Sequence, residues 1–324
     1  MGMGHVQQST TLARELRAKA DVCFLTKSDD TVLTTIRESG FEATRLRSDT
    51  EILHHLTTLN PDVIVFDKID VEEKLARDIK NSLKARLIIF TNLTGANKYA
   101  DVAVLQRAAD LTADIGNRFK NVAYTDNDTN TLYYYGPKYW VLRTEFYEYK
   151  SKRKVSSGNA EKVLLIFGGS DPSNLTSAVL EELLGLDRML WIDVILGAHF
   201  GHDDSVNLVL ERYPGKRANV TVHRNTKNVA ELMYEADLTI ASPGLSVFEA
   251  LCVGTPVIVM PHDALQRDTY RGFMRMLERD EVGKLGGMIE RAEFTYPHEE
   301  HIAMMEIGEG VPELVEVILR SVRR

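Results

Sequence analysis

The stretch Phe167-Gly168-Gly169-Ser170-Asp171-Pro172-Ser173-Asn174 decides the reading of this chain. It follows the apolar run Val163–Phe167 and opens a segment with helical periodicity, Asn174–Leu184. A buried strand that runs through a glycine turn into a helix is the unit of a parallel α/β sheet. Two adjacent glycines let backbone amides come close to a ligand, and the following helix start adds N–H groups and a partial positive charge. The turn is neither GxGxxG nor a P-loop with Gly-Lys-Ser/Thr, which disfavours ordinary dinucleotide binding and ATPase chemistry. A tight turn capped by Ser173 or Asn174 is the purely structural alternative.

The same alternation extends in both directions. On the C-terminal side, strands are expected at Leu190–Leu196, Val220–His223, Leu238–Ala241 and Val257–Met260. Helices are expected at Val206–Tyr213, Val229–Ala236, Ser246–Val253 and Gln266–Leu277, with the amphipathic Val311–Val322 closing the chain. On the N-terminal side, strands at Val22–Leu25, Phe41–Leu46, Val63–Phe66, Leu87–Phe90 and Asp101–Leu105 alternate with helices at Thr31–Ser39, Glu51–Leu59 and Val71–Leu83. Segment 106–135 is less periodic and reads as loop with weak elements. Ser151–Glu161, polar and carrying Ser-Ser-Gly, reads as a linker. The expectation is α/β throughout, with two doubly wound parallel-sheet domains facing a cleft: 1–150, a linker at 151–161, and 162–324. Ligands of such sheets sit beyond the carboxyl ends of strands.

Two further loops carry chemistry. Ser242-Pro243-Gly244-Leu245-Ser246-Val247-Phe248-Glu249 again lies between strand and helix. Gly244, Leu245 and Ser246 can approach a phosphate, and the Glu249 carboxylate can accept both hydroxyls of a ribose. A Ser246/Glu249 capping box is the structural alternative. Two phosphate cradles in one half suit a nucleoside diphosphate. Gly2-Met3-Gly4-His5-Val6 places a glycine-flanked histidine at a helix start, where an imidazole can act as general base. No strand precedes it, which leaves room for a start upstream of Met1.

Composition bounds the function. The 39 Lys and Arg against 47 Asp and Glu leave a net charge of −8 on 324 residues, which argues against a general nucleic-acid binder. No apolar run reaches the ~20 residues of a membrane helix and no secretory signal is readable. Cys23 and Cys252 form no framework. A reducing cytoplasm is the expected location. Asp126-Asn127-Asp128 is a DxD in a polar loop and reads as a turn. His298-Glu299-Glu300-His301 is not HExxH. His199, His202, Asp203 and Asp204 read as a loop and helix cap. No metal and no cofactor are expected. Lys152-Arg153-Lys154 reads as solvated linker before membrane patch, and Trp140 and Trp191 as packing residues.

At these motifs the sequence resembles a group within the GT-B glycosyltransferase superfamily: the UDP-sugar hydrolase of pseudaminic acid synthesis and predicted glycosyltransferases of spore-coat polysaccharide synthesis. Gly4-His5-Val6 resembles their GHV motif. Tyr135-Gly136-Pro137-Lys138-Tyr139 with Leu142-Arg143-Thr144-Glu145-Phe146 is similar to their GPKYxxLRxEF, and Phe167–Pro172 to their FGGSDP. Asn228–Met233 with Ala236-Asp237-Leu238 is similar to the segment before their last cleft loop. Leu245–Glu249 and Gly254-Thr255-Pro256 resemble the donor loop of the peptidoglycan GlcNAc transferase. The chain departs from the group where Gln8 and Ser9 replace the Arg and Cys of GHVxRC. It departs again where Thr91-Asn92 replace an Asp-Asp, Leu265-Gln266 an Asn-Gln, and Ala241–Ser246 a GAGGST.

The resemblance implies a metal-independent glycosyltransferase of cell-surface glycan synthesis. Its donor would be a UDP-sugar, and its acceptor a sugar or lipid-linked glycan, with peripheral membrane contact compatible with the latter. Gly168, Gly169, Ser170, Gly244, Leu245 and Ser246 would approach the diphosphate. Glu249 would hold the ribose, Gln266 the sugar hydroxyls, and Val222–Asn228 would run beside the uracil. His5 would deprotonate the acceptor. Hydrolysis with water as acceptor, and non-catalytic binding of a sugar nucleotide, are the alternatives.

Overall fold

A computed structural model describes residues 3–106, 121–152, 160–270, 276–294 and 303–320. The chain divides into two compact units. The first comprises Met3–Val141 and the chain from Ala303 onward; the second is Leu142–Ile302. These limits differ from the expected 1–150 and 162–324. Leu142 and Phe146 are fully buried, and the Thr144–Lys150 helix packs against Leu245–Val253 and Val229–Glu235, so the sequence after Val141 belongs to the second unit. The amphipathic C-terminal helix, Val311–Leu319, packs in the first unit. Of the expected linker 151–161, residues 153–159 lie outside the described residues.

The first unit opens with a helix, Met3–Leu16, followed by the parallel pair β1 (Cys23–Thr26) and β2 (Glu42–Arg45). A five-stranded sheet then has the order β3-β4-β5-β7-β6. It is built from β3 (Val63–Asp67), β4 (Arg86–Phe90), β5 (Val102–Leu105), β6 (Val122–Thr125) and β7 (Leu132–Tyr135). All neighbours are parallel except the β6–β7 hairpin. The strands of β4 show why the apolar runs are unbroken. Leu87 and Ile89 pack with Ala76 and Ile79 on one face, while Ile88 and Phe90 pack with Leu12, Leu16, Leu314 and Ile318 on the other. The hairpin gives form to part of 106–135, which reads in sequence as loop with weak elements. Its turn is fastened by Asp126, whose Oδ1 accepts from the Asp128 and Thr129 amides and the Thr129 hydroxyl. Residues 107–120 lie outside the described residues.

The second unit holds an all-parallel sheet of order β10-β9-β8-β11-β12. Its strands are β8 (Lys162–Ile166), β9 (Trp191–Leu196), β10 (Val220–Arg224), β11 (Leu238–Ala241) and β12 (Val257–Val259). The order reverses between β8 and β11, so the loops after these two strands flank the topological switch point where doubly wound sheets bind ligands. Trp191, expected as a packing residue, is 57% exposed at the start of β9. Among the described residues no helix is long and apolar enough to cross a membrane.

Candidate functional site

The turn after β8 holds Gly168, Gly169 and Ser170, whose amides make no hydrogen bond to another described residue. Gly168 has φ +79°, a conformation that a side chain opposes. The turn lies hard against the end of β9. A Cβ on Gly197 would stand 2.5 Å from Gly169 Cα and 2.6 Å from the Gly168 carbonyl oxygen, so only glycine fits there. The His199 amide donates to the Gly169 carbonyl at 2.9 Å. Gly197 escapes a reading of the sequence because its role is set by a backbone 28 residues upstream.

The helix that follows, Leu175–Gly185, is not an open anion site. Asp171, buried and at φ +45°, accepts from the Leu175 and Thr176 amides at 2.8 Å with its two carboxylate oxygens. The expected caps, Ser173 and Asn174, are not used: Asn174 makes no side-chain cap bond, and the Ser173 hydroxyl donates to the His262 carbonyl at 2.8 Å. What this loop offers a phosphate is therefore the 168–170 turn. The second loop is the reverse case. Gly244, at φ +142°, occupies the N-cap position of the Leu245–Val253 helix and leaves the first-turn amides, Leu245 and Ser246 among them, without a capping side chain. An uncapped helix start attracts negative charge through its free N–H groups and dipole. The Ser246/Glu249 capping box does not form, because the helix begins at Leu245 and Glu249 lies beyond its first turn.

Glu249 has a partner that the sequence reading did not supply. It is 1% exposed, and Oε1 and Oε2 accept from Arg143 Nε and Nη2 at 2.7 and 2.8 Å. The guanidinium carbon lies 5.0 Å from the centre of the Phe146 ring. Burial would lower the Arg143 pKa, but the charge of Glu249 and its hydrogen bonds raise it above the ordinary value. A ribose would thus meet a carboxylate already engaged on both oxygens. Gln266 is engaged as well: Oε1 accepts from the His262 amide at 2.9 Å and Nε2 donates to the Pro243 carbonyl at 3.4 Å. Each group of this side chain retains capacity for one more hydrogen bond. The Val222–Asn228 segment covers the end of β10, the outer strand of the sheet, and the turn after it, where the Asn225 amide donates to the Leu196 carbonyl.

In the first unit the centre is Asp67, at the carboxyl end of β3, which the sequence reading missed. His5 Nδ1 lies 2.7 Å from Asp67 Oδ1, and the Thr91 hydroxyl donates to the same oxygen at 3.0 Å. Gln8 Nε2 and Ser9 Oγ donate to Oδ2 at 3.0 and 2.9 Å. Gln106 Nε2 in turn donates to Gln8 Oε1 at 2.6 Å. His5, Gln8 and Ser9 come together because the Met3–Leu16 helix carries them on its i, i+3, i+4 face. Thr91 is held at φ +58°, a conformation β-branched residues rarely adopt. Three of the positions where this chain departs from the GHVxRC and Asp-Asp patterns, Gln8, Ser9 and Thr91, therefore converge on one carboxylate. Burial lowers the His5 pKa, but the hydrogen bond and the charge of Asp67 overcome it and raise the imidazole above its ordinary 6.5. A bond from Nδ1–H to the carboxylate leaves Nε2 as the basic nitrogen.

Among the described residues no three His, Cys, Asp or Glu side chains gather as metal ligands. Asp203 pairs with Arg224. His298 lies outside the described residues, as does His301.

No family model matches the chain. An uncharacterized protein of Methanocaldococcus jannaschii is 40% identical over 324 residues, which cover 98% of this chain and 63% of that protein. This chain thus spans less than two thirds of that relative's length. The spore coat polysaccharide biosynthesis protein SpsG of Bacillus subtilis is 25% identical over 84% of this chain and 77% of that one. Among solved structures, UGT2 of Phytolacca americana, complexed with UDP-2-fluoro-glucose and pterostilbene, matches with a TM-score of 0.62 at 13% identity, covering 99% of this chain and 98% of that one. Two parallel-sheet units with this strand order and this likeness give the protein the GT-B fold of the glycosyltransferases.

Proposed function

We propose that the protein is a metal-independent glycosyltransferase that uses a UDP-sugar in polysaccharide or glycoconjugate biosynthesis. The observation that carries the reading is the pair of amide sites flanking the switch point of the second unit: the 168–170 turn and the uncapped start of the Leu245–Val253 helix. Such a pair suits the two phosphates of a nucleoside diphosphate. The UDP-sugar bound in the Phytolacca structure and the polysaccharide role in the name of the Bacillus relative support the donor and the setting.

In this reading the first unit supplies the base. His5 Nε2 takes the proton of the acceptor hydroxyl. The oxygen bonds to the anomeric carbon, the bond from that carbon to the diphosphate breaks, and UDP leaves. Hydrogen bonds from Gly168, Gly169, Ser170, Leu245 and Ser246 receive the charge on the departing diphosphate, the task a metal performs elsewhere. Asp67 fixes the His5 tautomer and stabilises the imidazolium that forms. Gln266 offers its remaining hydrogen-bond capacity to the sugar. Glu249 holds the ribose only insofar as its pairing with Arg143 permits.

Titration with UDP by calorimetry, and UDP release from UDP-sugars with and without glycan acceptors, test the proposal. Binding with acceptor-dependent release is expected. His5→Ala should lower turnover ~10²–10⁴-fold, the range of general-base catalysis, with UDP affinity unchanged. Failure to bind UDP or any UDP-sugar overturns the reading. Rapid release with water alone would make the protein a hydrolase, and binding without turnover a sugar-nucleotide binding protein.

A further inference from the structure

His262, in the turn after β12, is a buried histidine to which the reaction above gives no task. Its side chain is 6% exposed. Nε2 lies 3.0 Å from the Phe167 carbonyl oxygen. A carbonyl can only accept, so Nε2 carries the proton. The backbone carbonyl of His262 accepts from Ser173 Oγ at 2.8 Å, and its amide donates to Gln266 Oε1, whose Nε2 reaches the Pro243 carbonyl. One residue thus ties three turns together. It holds both ends of the 167–173 loop, at Phe167 and Ser173, and connects through Gln266 to the 243–246 loop. The remaining polar atom, Nδ1, has no hydrogen-bond partner among the described residues, and Asp171 Oδ1 lies 3.7 Å from it.

We propose that His262, through its Nε2–H, is a positioning residue that sets the 168–170 and 244–246 amides at a common register for the diphosphate. It touches no substrate atom. It acts through Phe167 and Ser173 on one side and Gln266 on the other. Where it bears on affinity, the assignment rests on the proposed UDP site; where it bears on the order of the loops, it does not.

The test uses the full chain with His262→Ala, His262→Phe and His262→Gln, and two readouts. The first needs no ligand: amide hydrogen exchange at His199, Leu175 and Thr176, whose bonds to Gly169 and Asp171 report on the turn. Loss of the donor to a buried carbonyl should speed exchange at least about tenfold in the Ala and Phe variants. His262→Gln, whose amide nitrogen reaches the place of Nε2, should exchange like the parent. The second readout is the UDP dissociation constant, expected to rise at least about tenfold in Ala and Phe and to recover in Gln. Nitrogen chemical shifts of the His262 ring in the parent should show a proton on Nε2. Unchanged exchange in His262→Ala, a Gln variant no better than Phe, or an Nε2 without a proton overturns the assignment. If the parent binds no UDP, the proposed function fails, and the exchange series still decides the role of His262.

Discussion

Glu249→Ala distinguishes a structural carboxylate from a ligand-binding one. The substitution removes both acceptors of Arg143 and leaves a guanidinium, 16% exposed and packed over Phe146, with its Nε and Nη2 hydrogens unpaired. Deleting one partner of a buried ion pair costs ~3–5 kcal/mol, against ~1 kcal/mol for a lost helix cap. For a domain of about this size 1 kcal/mol moves the melting temperature by ~2–4 °C, so a fall on the order of 6–20 °C is expected. Thermal melts followed by circular dichroism measure it. The double variant Arg143→Met with Glu249→Leu should regain most of the loss, because an apolar pair of similar volume replaces two buried charges at little net cost. Glu249→Gln keeps an acceptor for Arg143 and is the variant in which to read UDP affinity. A Glu249→Ala protein that melts within about 2 °C of the parent and loses UDP binding would refute the argument: the carboxylate would then serve the ribose, and the pair with Arg143 would contribute nothing.

Three further outcomes are expected. Asp67→Asn should lower the His5 pKa toward its ordinary value, moving the acid limb of the pH–rate profile to lower pH; the stability that the raised pKa contributes, present below pH ~6.5 and lost as pH rises through the folded value, should vanish with it. An acid limb that does not move would show that Asp67 leaves the base untouched. Gly197→Ala places a methyl group against the Gly168–Gly169 backbone and should weaken UDP binding, with ~1–3 kcal/mol of destabilisation from overpacking; calorimetric affinity equal to the parent's would show that the turn can shift without consequence. Turnover should survive EDTA; loss of activity restored by manganese or magnesium would require a metal in place of the amide sites.

The sheet-forming strands are legible in the sequence because a parallel strand covered on both faces must be apolar at every position, as in Leu87–Phe90 and Val163–Ile166. β6 and β7 are not: four residues each, with four tyrosines among the eight, they carry no such aliphatic run. Glycine turns announce where backbone amides lie open, and the 168–170 turn and Gly244 are two of them. Caps are harder. Nothing in Asp171-Pro172-Ser173-Asn174 tells which side chain turns back onto the helix, and Asp171 does so through a left-handed conformation. Long-range pairs are hidden altogether. Asp67 lies 62 residues from His5, and Arg143 lies 106 from Glu249. Gln8, Ser9 and Thr91 look like unrelated losses until the fold brings them to one carboxylate.

The passage of the chain out of the first unit at Val141 and back at Ala303 bears on how the protein is made. The sheet face formed by Ile88, Phe90, Val102 and Val104 is closed by Val311, Leu314, Val317 and Ile318, which the ribosome delivers only after the whole second unit. At a synthesis rate of ~5–20 residues per second, the interval from Leu142 to Leu319 lasts about 9–36 s. Throughout it the part of that face covered by Val311–Leu319, beside Leu12 and Leu16, stays exposed while all of the second unit is synthesised. The usual N-terminal-first order of domain maturation is therefore inverted, and the nascent chain carries an exposed hydrophobic surface while the second unit is made. A ribosome that stops after residue 302 would release a protein whose second unit is whole and whose first unit lacks its closing helix, a substrate for aggregation and proteolysis.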